Sequence, residues 1–153
     1  MACFDGAALS NGSCCVAGGI FGTHDKRITK WYLNCGVGTN TKDELMGLWV
    51  TLTLATLWAI DQILILGDSK VIIDWINKKS QLNAVNIEGW KIKTLELAKN
   101  MKNSSFKHVH REHNKEADLL SKRALKELKG QLSVFHWENG EESPHSHLNI
   151  FKA

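Results

Sequence analysis

The sequence predicts an α/β domain built on a five-stranded mixed sheet covered by helices. Three observations predict it. Residues 2–36 hold three strand-like segments with a tight-turn signal between the first two. Residues 41–59 then carry a wide apolar stripe at helical spacing. Finally, "ILILGDSKVIID" (63–74) runs four apolar residues into Gly67 and Asp68, and a helical pattern begins at once.

The elements follow in order. "ACFDGAA" and "CCVAGGIFG" read as strands joined by "LSNG", whose Asn11-Gly12 pair suits a hairpin turn. "ITKWYLNCG" alternates as a third strand. Thr41-x-x-Glu44 fits a capping box opening a helix to about Ala59, roughly 30 Å long. Its apolar residues Leu45, Leu48, Trp49, Leu52 and Ala55, with Met46 and Val50 off that line, imply a helix mostly buried against a sheet. "QILILGD" is the fourth strand, and a short helix spans about Ser69 to Asn77 with Trp75 on its inner face. "IEGWKIKTLELAKNM" is helical, "SFKHVHRE" is a fifth strand, and "NKEADLLSKRALKEL" is a last helix that Asn114 could cap. The first three strands form an antiparallel meander, and strands reached through helices lie parallel to it. From Gly130 the pattern decays into "ENGEESPHSH", the look of a loop or loosely attached tail.

A chain of 153 residues is long enough for one domain with a sizeable core. Cys3, Cys14, Cys15 and Cys35 form no C-x-x-C pair and no metal-ligand spacing, so free thiols in an intracellular protein are expected. The longest nearly uncharged run, 45–60, is shorter than the ~20 residues of a membrane span, and no membrane partner is expected. Net charge is +3, unevenly spread: −2 over residues 1–69, +7 over 70–129 and −2 beyond. A basic segment beside an acidic one fits a polyanionic partner with a cation site facing it, and equally fits solvated helix faces.

Four acids stand at element ends. Asp5 interrupts the first strand, Glu44 lies in the first turn of the long helix, Asp68 ends the fourth strand, and Asp118 opens the last helix. Ligands in open α/β sheets gather at carboxyl ends of strands where strand order reverses. Clustered carboxylates repel by on the order of 4 kcal/mol per close pair at an effective dielectric of 20, and hard divalent ions such as Mg²⁺ or Mn²⁺ relieve that. Each acid also has a structural reading: a capping box for Glu44, a turn for Asp5, a cap of the following helix for Asp68, and helix-end charge for Asp118. Spacing alone leaves both readings open. His145-x-His147 supplies two ligands, too few for a closed zinc site.

The strings "FDGAALSNG…AGGIFG", "GTNTKDELMGLW", "LGDSKVIIDWI" and "HREHNKEADLLSKRAL" together resemble type 1 ribonuclease H, in its archaeal-like and plant reverse-transcriptase-like branch, over about Ala2 to Leu128. The resemblance implies a five-stranded mixed sheet flanked by helices on both faces, a catalytic domain over 1–129, and a C-terminal extension, 130–153, that is irregular or loosely packed. It implies hydrolysis of the RNA strand of RNA/DNA hybrids, leaving 5′-phosphate and 3′-hydroxyl ends, with two Mg²⁺ ions per site and Mn²⁺ as a substitute. Asp5, Glu44, Asp68 and Asp118 match the family's catalytic and metal-binding acids: Asp5 and Asp68 beside both ions, Glu44 on the leaving-group side, Asp118 on the water-activating side. Asn11 and Asn40 match minor-groove contacts, and Thr39 a contact to a DNA-strand phosphate. Lys78, Lys79, Lys91 and Lys93 would then line the phosphate path.

Two features depart from bacterial members. Only a short stretch separates Trp75 from Trp90, where those members carry a basic protrusion, and His110 does not keep the spacing of their mobile histidine from the last acid. His110 therefore stands as an auxiliary candidate for product release, beside the plainer reading of a surface histidine. The expected partners are an RNA/DNA hybrid and a reverse transcriptase or other polyprotein domain, with a monomer favoured. Two other functions compete: a catalytically silent domain that binds nucleic acid or protein, and a nuclease of the same superfamily acting on DNA.

Overall fold

The computed structural model of the chain describes residues 1–22 and 27–151. Strands β1 (Ala2–Ala8), β2 (Cys15–Gly22) and β3 (Ile28–Gly36) form the antiparallel meander. Helix α1 (Asn40–Leu57) leads to β4 (Leu64–Gly67), then α2 (Lys70–Ile76), α3 (Glu88–Ala98), β5 (Ser105–His108) and α4 (Lys115–Arg123). β4 pairs parallel to β1, and β5 parallel to β4. No helix of the described residues is long and apolar enough to cross a membrane.

Alternation along the strands builds two cores. On one face Phe4, Ala17, Phe21, Trp31 and Leu33 pack against α1, with Ile72, Trp75 and Ile87 closing the layer. On the other, Val16, Tyr32 and Phe135 pack against Leu120 and Ala124 at the α4 end. Helices thus cover both faces, as the fold class requires. A side chain at Gly18 would collide with the Ser121 amide, its Cβ only 2.3 Å away, so this glycine lets α4 lie directly on β2.

The C-terminal segment differs from the loose tail expected. Gln131–Glu138 forms strand β6, antiparallel to β3, and β7 (Glu141–Glu142) and β8 (Ser146–Asn149) cover its outer edge. The sheet therefore has eight strands, ordered β5-β4-β1-β2-β3-β6-β7 with β8 on β6. Leu132 and Phe135 are buried on opposite faces, and the free edge of β3 accepts the segment across about a hundred residues of chain. Residues 152–153 of that segment lie outside the described residues.

Two helix starts also differ. Helix α1 begins at Asn40 with Thr39 as its N-cap and no side-chain cap, so the Thr41–Glu44 capping box is not formed. Asn114 is the N-cap of α4 but does not cap it; its amide donates instead to the Phe4 carbonyl at 2.8 Å. The Glu44 and Asn114 side chains thus bond to strand β1, at Gly6 and Phe4, instead of capping their own helices. The last helix ends at Arg123 and runs on only as the 3-10 turn Ala124–Lys126, whose exit the Asn34 amide holds through the Ala124 and Glu127 carbonyls.

Candidate functional site

Strand order reverses between β1 and β4: the chain runs from β1 to β2 and β3 on one side, and reaches β4 and β5 on the other. Phe4 pairs with Gly67, which sets Asp5 and Asp68 one residue further along two adjacent parallel strands. Helix α1 crosses this point on one face, and Glu44, just past its first turn, comes in with it. Ligand atoms of Asp5, Glu44 and Asp68 all lie within 4.8 Å of one another.

Glu44 reaches across to β1, where one carboxylate oxygen accepts the Gly6 amide at 3.0 Å. Its second oxygen, Oε2, and Asp68 Oδ2 are buried without a hydrogen-bond partner. Burial raises the Asp5 carboxyl to about 7, with the Asp68 charge adding to it and contacts with Glu44 and the Gly6 amide partly offsetting it. Glu44 is raised well above the usual carboxylate range, first by burial and then by the charges of Asp5 and Asp43.

Asp118 stands apart from this group. It lies in the first turn of α4, held to β1 through the Asn114–Phe4 bond, and its carboxylate takes the Lys122 ammonium at 3.0 Å. With His110, Arg111, Glu112 and Lys115 it lines a groove of about 560 Å³. His110 thus sits beside Asp118, in that groove.

Three predicted substrate residues meet at one corner. The Asn11–Gly12 turn, closed by Ser13 N–H to Asn11 Oδ1, touches the loop before α1 through Gly38 N–H to the Gly12 carbonyl at 3.1 Å. Asn11, Thr39 and Asn40 are all exposed there, beyond the end of β1 that carries Asp5. Lys78 and Lys79 are exposed past the far end of α2, about 10 Å of helix from Asp68. Of the other two lysines, Lys93 lies over the Trp90 ring, whereas Lys91 is half-buried and bonded to the Leu82 carbonyl and Glu88. His145 and His147 are occupied by Glu142, Tyr32 and Ser133, and join no metal-ligand group among the described residues.

Two residues escaped the sequence reading. Asp43 is fully buried with both oxygens unpartnered, and burial followed by the neighbouring Cys15 and Asp5 pushes its carboxyl up to about 9. It lies so close to Gly6 that a Cβ there would stand 2.2 Å from its Oδ1, so the glycine after Asp5 admits Asp43 instead of making a turn. The acid-acid pair in "KDEL", at the mouth of a helix buried nearly all round, was the available signal. The second is His108, whose Nε2 donates to the Asp68 carbonyl at 3.1 Å. A histidine ending the strand next to "LILGD" marked it in the sequence.

The model of the reverse transcriptase-like family matches residues 4–124, which span Asp5, Asp43, Glu44, Asp68 and Asp118. The chain belongs to the reverse transcriptase-like family. Its fold is similar to that of RNase H1 from the archaeon Halobacterium salinarum NRC-1, with TM-score 0.74 and 26% identity, covering 83% of this chain and 97% of that one. It is also similar in fold to the N-terminal RNase H domain of a Mycobacterium tuberculosis protein (TM-score 0.73, 21% identity, 81% and 92% covered). A third similar structure is LC11-RNase H1, determined in complex with an RNA/DNA hybrid (TM-score 0.71, 19% identity, 82% and 98% covered). No curated protein sequence matches the chain. The resemblance to type 1 ribonuclease H and its α/β fold are thereby established, with three strands more than the five expected.

Proposed function

We propose that the chain is a divalent-metal-dependent endoribonuclease that hydrolyses the RNA strand of RNA/DNA hybrids. The observation that carries this is the convergence of Asp5, Glu44 and Asp68 at the switch point of the sheet, with buried oxygens of Glu44 and Asp68 left without partners. Oxygen-only ligands of like charge suit Mg²⁺ or Mn²⁺, and such an ion would satisfy those oxygens and relieve the repulsion. Asp5, Glu44 and Asp68 would hold the metal, with Asp118 contributing from the adjoining helix to a second ion. When bound, the ions acidify water and neutralise the departing 3′-oxygen, leaving 5′-phosphate and 3′-hydroxyl ends.

The chain's own groups supply orientation. The exposed corner of Asn11, Thr39 and Asn40 would lie against the minor groove, where 2′-hydroxyls distinguish RNA from DNA without reading sequence. Lys78, Lys79 and Lys93 would add salt-sensitive contacts to phosphates. Residues 1–129 would form the catalytic domain, acting alone or beside a polymerase domain.

The test is cleavage of a labelled RNA/DNA hybrid with Mg²⁺, beside double-stranded RNA and double-stranded DNA. Wild type should cut only the hybrid's RNA strand, and Asp68→Asn should reduce cutting to background while still binding hybrid. No cutting by wild type, or equal cutting by Asp68→Asn, overturns the proposal. One observation favours a silent hybrid-binding domain: Asp118 stands outside the three-acid group and is tied to Lys122. Hybrid binding without cleavage in the same assay would select it.

A further inference from the structure

We propose that His108 is a positioning residue that holds Asp68 in place for metal binding through the backbone of Asp68; this rests on the metal-centre reading above. Asp68 occupies a short, demanding connection. Gly67 ends β4, Ser69 is the N-cap of α2, and Asp68 alone separates them. The first rung of the helix ladder joins Ile73 N–H to the Ser69 carbonyl, so the Asp68 carbonyl lies ahead of the ladder. The edge strand β5 reaches this peptide from outside the helix. His108 pairs with Gly67, Val109 N–H donates to the Gly67 carbonyl at 2.9 Å, and His108 Nε2 donates to the Asp68 carbonyl at 3.1 Å. A carbonyl can only accept, so Nε2 carries the proton in this contact.

The ring stands between the two acid-bearing regions. It meets the His110 ring edge-on at 5.9 Å, and His110 lines the groove that holds Asp118. The imidazole is exposed and outside both cores, so its removal leaves packing intact. What its removal takes away is one restraint on the peptide that carries Asp68. The carboxylate then samples more orientations, and a metal must select among them on binding.

The experiment measures Mn²⁺ binding by calorimetry, the Mg²⁺ dependence of hybrid cleavage, and thermal melting for wild type, His108→Ala, His108→Asn and His108→Gln. The Gln amide nitrogen stands at the same bond distance from Cβ as His Nε2, whereas the Asn nitrogen stands where Nδ1 was. Expected is a metal affinity about three- to tenfold weaker in His108→Ala and His108→Asn, the loss of one hydrogen bond's effect. His108→Gln should stay close to wild type, with melting temperature and the KM for hybrid unchanged throughout. The proposal is overturned if His108→Ala binds Mn²⁺ as wild type does, if Asn and Gln variants are equally impaired, or if affinity falls only alongside melting temperature. Wild-type protein that binds Mn²⁺ while the variants match it removes the role of His108 alone; wild-type protein that binds no Mn²⁺ removes the metal centre with it.

Discussion

Charged groups are treated in opposite ways at two places on the sheet. Where β6–β8 join the body of the fold, the charges of Arg123 and Glu142 are fastened to each other. Arg123 grips Glu142 through both guanidinium nitrogens at 2.6 and 3.3 Å, and lies over the Tyr32 and Phe135 rings. His145 completes that set, stacking on Phe135 and bonding both Glu142 and the Tyr32 hydroxyl. Arg123 and then His145 draw the Glu142 carboxyl down to about 2. At the β1–β4 end the shifts run the other way, to about 7 for Asp5 and about 9 for Asp43, with buried oxygens left unpaired. The difference teaches how to separate structural from functional charge here. Paired charges tie elements together; unpaired buried ones raise the free energy of the empty fold and are relieved by a ligand.

That contrast can be broken or sharpened by experiment. The largest expected effect is on metal affinity. Asp5 holds a proton below about 7, and metal competes with that proton, so affinity for Mn²⁺ should fall on the order of a hundredfold between pH 7 and pH 5. Calorimetric titrations across that range would show it, and a pH-independent affinity would refute a metal ligand at Asp5 that competes with a proton near pH 7.

Next comes Asp43→Asn. A folded-state value of about 9 lies above the ordinary 3.8, so the folded wild type keeps a proton that the unfolded chain releases. Wild-type stability therefore falls as pH rises from about 4 to about 9, and the variant lacks this loss at that position. Relative to wild type, Asp43→Asn should gain stability as pH rises from about 4 to about 8, by at most about 1.4 kcal/mol per pH unit, with the gain shrinking toward pH 4, as read by urea unfolding. A gain that does not depend on pH would refute the account of Asp43.

The smallest effect belongs to the fastened region. Glu142 is about a third exposed, so solvent screening limits the Arg123 pair to about 0.2–1 kcal/mol. Its carboxyl is depressed from 4.5 to about 2, so this contribution is present above about 4.5 and fades as pH falls toward 2. Glu142→Gln should lower the melting temperature slightly at pH 7, converge with wild type near pH 2, and leave Mn²⁺ binding unchanged. An equal loss of metal affinity would mean that the two regions are coupled.

The strands of the meander, the buried long helix and the strand ending at Gly67 were legible because period and turn chemistry are local. The gathering of Asp5, Glu44 and Asp68 was not, since three residues spread over more than sixty positions meet only through strand pairing and helix packing. Glu44 shows the limit well: its spacing from Thr41 fits a capping box, whereas the helix starts at Asn40 and the approach of β1 turns the Glu44 carboxylate toward Gly6 instead. Residues 131–149 show the same limit in reverse. Their strand character is weak in isolation and is decided by the open edge of β3, whose backbone donors and acceptors need partners.

By itself, the order of residues determined the fold class, the meander and the acids worth watching, because hydrophobic period, turn residues and motif strings are properties of neighbours along the chain. Tertiary structure decided which acids share a site, that Asp118 stands apart, that Asp43 is buried among them and that His108 reaches Asp68. Those outcomes depend on distances between segments remote in the chain, and on water being excluded once they meet. A carboxylate's partners and proton affinity exist only after that packing has occurred.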